Sequence, residues 1–214
     1  MTASPEITSQ PRRYHLATFG TLALVGPGNG TVLGTHGHHR RRLALLAVLA
    51  AAGERGRSRD QLFLLFWPEA TQSRARHSLD QLLYALRGSL GESVFASVNP
   101  VRLDPDVVTS DVGVFMAAVE RDDLEAAVQA YRGPFLDGFY LSDAPEFERW
   151  VDGERARLAA TYATALERLA QTSEAAGDFA GAVQWWQKLA EVDPVSSKYA
   201  SGLVRALVRV GDRA

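Results

Sequence analysis

Apolar residues recur along this chain with two different periods. Near the N-terminus the pattern is short: Tyr14–Phe19 and Thr21–Val25 predict strands broken at Gly20, Pro27-Gly-Asn-Gly30 marks a turn, and Thr31–Leu33 fits a third strand. Leu43, Leu45, Leu46, Val48 and Leu49 then predict a strongly apolar helix that stops near Gly53. Ser58 is a favourable N-cap for a second helix, which buries Leu62, Leu65 and Phe66 and ends at Trp67-Pro68. A third helix is predicted from about Ser73 to Leu90, closed by Gly91. In it Ala75, Leu79, Leu82, Leu83, Leu86 and Leu90 gather on one side. The opposite side presents Arg74, His77, Gln81 and Tyr84, with Asp80 and Ala85 at its edges and Arg76 and Arg87 on one flank. Val94–Ala96 and Val101–Leu103, separated by Ser97-Val-Asn-Pro100, predict a hairpin. A small sheet, three helices and a hairpin over residues 14–105 make a winged helix-turn-helix.

From Asp111 onward the pattern is helical, over 112–120, 123–131, 145–173, 178–191 and 194–210, with an apolar loop at Gly133–Phe139. A domain boundary is placed near Asp104–Ser110, where Pro105 interrupts. Gly177-Asp178 recurs as Gly211-Asp212, a spacing of 34 residues, which is the TPR period. Between the two lie Ala182, Trp186, Leu189 and Asp193-Pro194, in the order in which such a unit packs its second helix and turns. Trp185 and Trp186 are expected to pack in the core of the helix pair. Asp122–Tyr131 is a degenerate copy of Gly177–Trp186 at an offset of 55 residues, so an insertion is expected, comprising the loop before Phe147 and an extended helix. The predicted fold is mostly α with a small β component. It has a disordered tail (1–13), a winged helix (14–105) and an all-α TPR-like domain (111–214). The last unit breaks off at Gly211-Asp-Arg-Ala214, so the chain reads as part of a longer polypeptide.

Composition adds a charge split to this picture. Residues 1–105 hold 12 Arg against 7 Asp and Glu, whereas residues 106–214 hold 11 Lys and Arg against 18 Asp and Glu. A basic half beside an acidic half suits a DNA reader joined to a module that is not one. With no cysteine there are no disulfides and no thiolate metal sites, and the polar start of the chain carries no export signal, so a cytoplasmic protein is expected. No apolar run reaches the roughly 18 residues that a membrane span needs, and no membrane partner is expected.

Catalytic chemistry finds little support. No phosphate-cradling glycine loop, nucleophile elbow or metal-ligand spacing occurs, and the carboxylate pairs Glu146/Glu148 and Asp122/Asp123 read as solvated helix surface. His36, His38 and His39 stand without cysteine or a nearby carboxylate, so they read as solvated loop residues rather than metal ligands. The chain is read as a non-enzyme with no cofactor and no metal.

Several motifs carry a family resemblance. Arg41-Arg-Leu-Ala-Leu-Leu46, Ser58-Arg-Asp-Gln-Leu62, Leu65-Phe-Trp-Pro-Glu69, Ala75-Arg-His-Ser-Leu79 and Leu86-Arg-Gly-Ser-Leu-Gly91 resemble the OmpR-like DNA-binding domain of the Streptomyces antibiotic regulatory proteins (SARPs). Ser110–Phe115, Tyr131-Arg-Gly-Pro-Phe-Leu-Asp-Gly138 and Glu146-Phe-Glu-Arg-Trp150 resemble the bacterial transcriptional activator domain that follows it in that family. The resemblance spans roughly Tyr14–Ala214. It implies a factor that binds direct repeats upstream of promoters, contacts RNA polymerase and self-associates on DNA. On this reading the third helix enters the major groove of double-stranded DNA. Arg74, Arg76 and Arg87 would hold phosphates, and His77, Ser78, Gln81 and Tyr84 would face bases or sugars. Arg40 and Arg41 at the start of the first helix, with Asn99 and Arg102 on the wing, would touch the backbone. Asp80, Ala85 and Gly88 stand where the family commonly carries arginine. An alternative from another class is a TPR-type protein-interaction module whose winged helix has lost strong DNA binding.

Overall fold

The computed structural model describes residues 13–28, 30–33 and 39–211. The predicted tail before Arg13, together with His36, His38 and Asp212, lies outside the described residues. The element order is β1 (Tyr14–Ala17), β2 (Ala23–Val25), β3 (Thr31–Leu33), α1 (Arg40–Ala52), α2 (Arg59–Phe66), α3 (Gln72–Leu90), β4 (Phe95–Val98), β5 (Val101–Leu103), β6 (Val108–Ser110) and five further helices. These helices are α4 (Asp111–Glu120), α5 (Leu124–Ala130), α6 (Pro145–Ala175), α7 (Phe179–Val192) and α8 (Ser197–Gly211). The result is a winged helix with a small N-terminal sheet, followed by a TPR-like helical array.

Two compact units emerge, one from the described residues up to Gly113 with Phe135–Asp152, the other from Val114–Pro134 with Gly153 onward. The units interleave along the chain, where the sequence suggested one cut near Asp104–Ser110.

In the first unit a four-stranded sheet has the order β3-β2-β1-β6. Leu16 and Leu24 face each other across the antiparallel β1–β2 pair and are fully buried. Strand β6 pairs parallel to β1, setting Tyr14 opposite Val108 and Leu16 opposite Ser110. The stretch where the domain boundary was placed is therefore partly a strand of this sheet. Helix α1 is apolar on every side from Leu43 to Leu49, and all seven residues are buried against neighbours that include α3 and β5. Phe135–Asp152 joins this unit because its aromatic residues find their cover here. Leu136 and Asp137 donate backbone hydrogen bonds to the carbonyls of Thr18 (2.8 Å) and Gly20 (2.9 Å). Phe135 meets Phe19 edge-on at 6.5 Å, and Phe147 stacks on Phe66 at 5.5 Å.

A buried carboxylate completes the β1 end of this unit. Asp111 accepts from the backbone N–H of Thr18 (2.8 Å) and of Phe19 (2.9 Å), from the Thr18 hydroxyl, and from the N–H of Val112 (2.8 Å). It thus ties the first turn of α4 to the end of β1.

The second unit shows the repeat directly. Asp122 and Gly177 both adopt left-handed backbone, with φ of 61° and 76°. Asp123 and Asp178 follow with nearly equal torsions, and each caps its helix by accepting from the N–H three residues on, of Ala126 and Gly181. The degenerate copy therefore keeps the turn geometry of its partner although an aspartate replaces the glycine, one of the few non-glycine residues that tolerate this region. The core gathers Val128, Ala165, Leu166, Ala170, Ala182, Trp186, Leu189 and Ala206, with Trp185 partly buried beside it. Gly202 lies under the Trp186 ring: a Cβ there would come within 2.6 Å of it. Small residues on α8 thus let two helices approach closely around one indole.

Candidate nucleic-acid interface

Helices α2 and α3 meet at the turn that begins with Trp67. The first is fixed at its start by a full capping box: Ser58 Oγ accepts from the Gln61 N–H at 3.2 Å, and Gln61 Oε1 accepts from the Ser58 N–H at 3.0 Å. Helix α3 seats Ala75, Leu79, Leu83, Leu86 and Leu90 in the core, while Leu82, grouped with them on periodicity, is only half-buried. This seating turns Arg74, His77, Gln81 and Tyr84 outward along one stripe, all exposed, with Tyr84 at 78% exposure. Ser78 is half-buried beside that stripe. Gln81 Nε2 lies 2.9 Å from His77 Nε2, one helical turn away.

Asp80 does not sit on the stripe. Its carboxylate pairs with the Arg59 guanidinium of α2, so its charge is compensated within the helix-turn-helix. Nothing in the local sequence pattern announced that pair, since the residues are 21 apart and on different helices.

The wing stands beside these helices. Arg57 exchanges backbone hydrogen bonds with Val101 at 2.8 and 2.9 Å, an isolated bridge that ties the segment before α2 to the β4–β5 hairpin. Gly56 makes this approach feasible. It has φ +60°, and a Cβ would lie 2.6 Å from the Val101 carbonyl oxygen. Asn99 is exposed at the hairpin tip together with Val98 and Pro100.

The remaining candidate arginines have intramolecular partners. Arg102 pairs with Glu54 at 2.5 Å, and Arg87 lies 5.7 Å over the Phe95 ring with Nε 4.0 Å from Glu92. Arg40 bonds the Tyr140 carbonyl and stacks near Phe139 and Tyr140, while Arg41 pairs with Asp143 at 2.6 Å and lies over Trp67. Arg40 and Arg41 thus line an open cleft of about 520 Å³ with Leu82, Tyr140, Leu141, Ser142 and Asp143. They hold the 139–143 loop. Arg74 and Arg76, by contrast, are exposed on α3 and make no ion pair among the described residues. Among the described residues no helix is long and apolar enough to cross a membrane.

Residues 111–214 match the family of the bacterial transcriptional activator domain. The matched residues make up just under half of the chain. No curated protein matches the sequence. Among solved structures, that of Mycobacterium tuberculosis EmbR in complex with a low-affinity phosphopeptide is similar, with a TM-score of 0.65 at 21% identity. The match covers 94% of this chain and 56% of that one. The likeness shows a shared fold over nearly all of the present chain, and the chain spans little more than half of its structural relative. Within that shared fold the winged helix precedes the residues that match the activator domain.

Proposed function

We propose that the chain is a sequence-specific DNA-binding transcription regulator that acts through α3. The observation that carries this reading is the outward stripe Arg74–His77–Gln81–Tyr84 beside the exposed guanidinium of Arg76, on a capped helix-turn-helix with a wing. Arg74 and Arg76 supply phosphate contacts, His77, Gln81 and Tyr84 face base edges and sugars, and the Asn99 tip lies along the flanking backbone. The activator domain supports a role at promoters, with RNA polymerase as the partner and direct repeats as the DNA target. Such a protein acts in the cytoplasm, on the nucleoid when bound.

Titration of the full chain against DNA from upstream of its own gene, over a series of salt concentrations, tests the reading. Two phosphate contacts from Arg74 and Arg76 contribute about −2 to the slope of log K against log salt, and each alanine variant flattens the slope by about 1. Absence of binding at low salt, or unchanged affinity in the double variant, refutes it.

One observation favours a second reading, a protein-interaction module. Helix α8 exposes Val204 (59%), Leu207 (48%) and Val208 (57%), a side suited to a protein partner rather than to DNA. Capture of a partner protein by the full chain that is lost in Val208→Glu, together with no DNA binding by the wild type at low salt, would favour it.

A further inference from the structure

The outward stripe of α3 contains one group whose hydrogen-bonding valence is partly used already. Gln81 Nε2 is 2.9 Å from His77 Nε2. With the amide donating, the histidine nitrogen is the acceptor and the ring proton sits on Nδ1. One of the two amide N–H groups is then spent on His77. The other N–H and the Oε1 oxygen remain, side by side on an exposed residue in the middle of the stripe.

One donor beside one acceptor has a defined complement in the major groove. Adenine offers N7 as acceptor next to the N6 amino donor, whereas guanine offers two acceptors, O6 and N7. We infer that Gln81, held by His77, is the specificity-determining residue of this interface and reads an adenine through its N6 and N7 edge. His77 acts here as a positioning residue. An unrestrained glutamine swings over several rotamers, and anchoring it before binding removes part of the entropy that a bidentate contact costs. Tyr84, one turn further on and 78% exposed, has the apolar ring to cover the neighbouring step. The inference rests on the proposed DNA binding by α3.

Selection of the full chain from a random double-stranded DNA library, followed by affinities for single-base variants of the selected motif, tests it. The wild type is expected to show one adenine position at which any other base weakens binding about 5- to 100-fold. Gln81→Ala abolishes that preference while the rest of the motif persists. His77→Ala weakens it at the same position, and His77→Gln, which returns an acceptor at the reach of Nε2, restores it. A motif unchanged by Gln81→Ala, a Gln81-dependent position that is not adenine, or full discrimination in His77→Ala overturns the inference and leaves the DNA-binding reading intact. Failure of the wild type to bind any DNA overturns both. Gln81 and His77 are both exposed, so these variants keep the fold, and circular dichroism confirms it.

Discussion

Replacing Asp111 by alanine removes the one acceptor shared by four donors: the N–H groups of Thr18, Phe19 and Val112 and the Thr18 hydroxyl. Thr18 is fully buried and Asp111 is 9% exposed, so little water reaches the vacated site. The Val112 N–H lies in the first turn of α4, where an intrahelical partner is lacking in any case, so it adds least. The other three donors are left unsatisfied, each costing about 1–3 kcal/mol with incomplete additivity, for a total of about 3–5 kcal/mol. Asp111→Asn keeps the shape but turns an amide N–H₂ toward backbone donors, and about 2 kcal/mol is expected. Thr18→Val removes only the hydroxyl and leaves the carboxylate its backbone donors, at about 1 kcal/mol. Urea unfolding followed by circular dichroism measures all three. With a urea m-value of about 2 kcal/mol/M, Asp111→Ala moves the midpoint down by roughly 1.5–2.5 M. A loss below about 1 kcal/mol for Asp111→Ala, or a larger loss for Thr18→Val than for Asp111→Ala, would refute the assignment of Asp111 as the clamp between β1 and α4.

Three further outcomes are expected. Trp186→Ala empties the centre of the helical core and costs about 3–5 kcal/mol, while Gly202→Ala drives a methyl into the same ring and costs about 1–3 kcal/mol, both read from urea midpoints. Ser58→Ala removes half of the capping box, lowering stability by about 1 kcal/mol, and weakens DNA binding by loosening the start of α2. The Arg168 hydrogen bond holds the Asp122 carboxyl below its ordinary 3.8, so the stability it lends is present above that value and is lost as pH falls through the lower folded-state pKa. Asp122→Asn, which still tolerates φ +61°, has a flatter stability profile across that acid range, and high salt removes the difference because the pair is exposed.

What the sequence made legible was local. The helices, the Ser58 cap and the α3 stripe all follow from spacing within one element, where i, i+3 and i+4 positions share a face. The repeated turn was legible because Asp122-Asp123 and Gly177-Asp178 perform the same backbone task. Strand β6 was not, because three residues carry no period and its partner β1 lies 94 residues away. Asp111 looked like an ordinary helix-start residue, and nothing near it in the chain says that Thr18 and Phe19 are its donors. The placement of Phe135 and Phe147 was hidden for the same reason. An apolar residue announces burial, but not against what.

The arginines carry the same lesson into the proposed function. By composition the N-terminal half is basic, yet Arg40, Arg41, Arg59, Arg87 and Arg102 each have an intramolecular partner that satisfies or screens the charge. Net charge therefore overstates the cation available to DNA, and the part that remains on the outward side of α3 comes from Arg74 and Arg76. Two phosphate contacts give a shallow salt dependence and weak non-specific binding to a single site. Under the proposed function, useful affinity then has two sources, base-edge contacts from the stripe and linkage between neighbouring copies on adjacent repeats. Linkage makes the second binding event effectively intramolecular and multiplies affinity without any new protein–DNA contact. A chain built in this way binds a lone half-site poorly and a correctly spaced pair well, so spacing between repeats governs occupancy more strongly than any one phosphate contact.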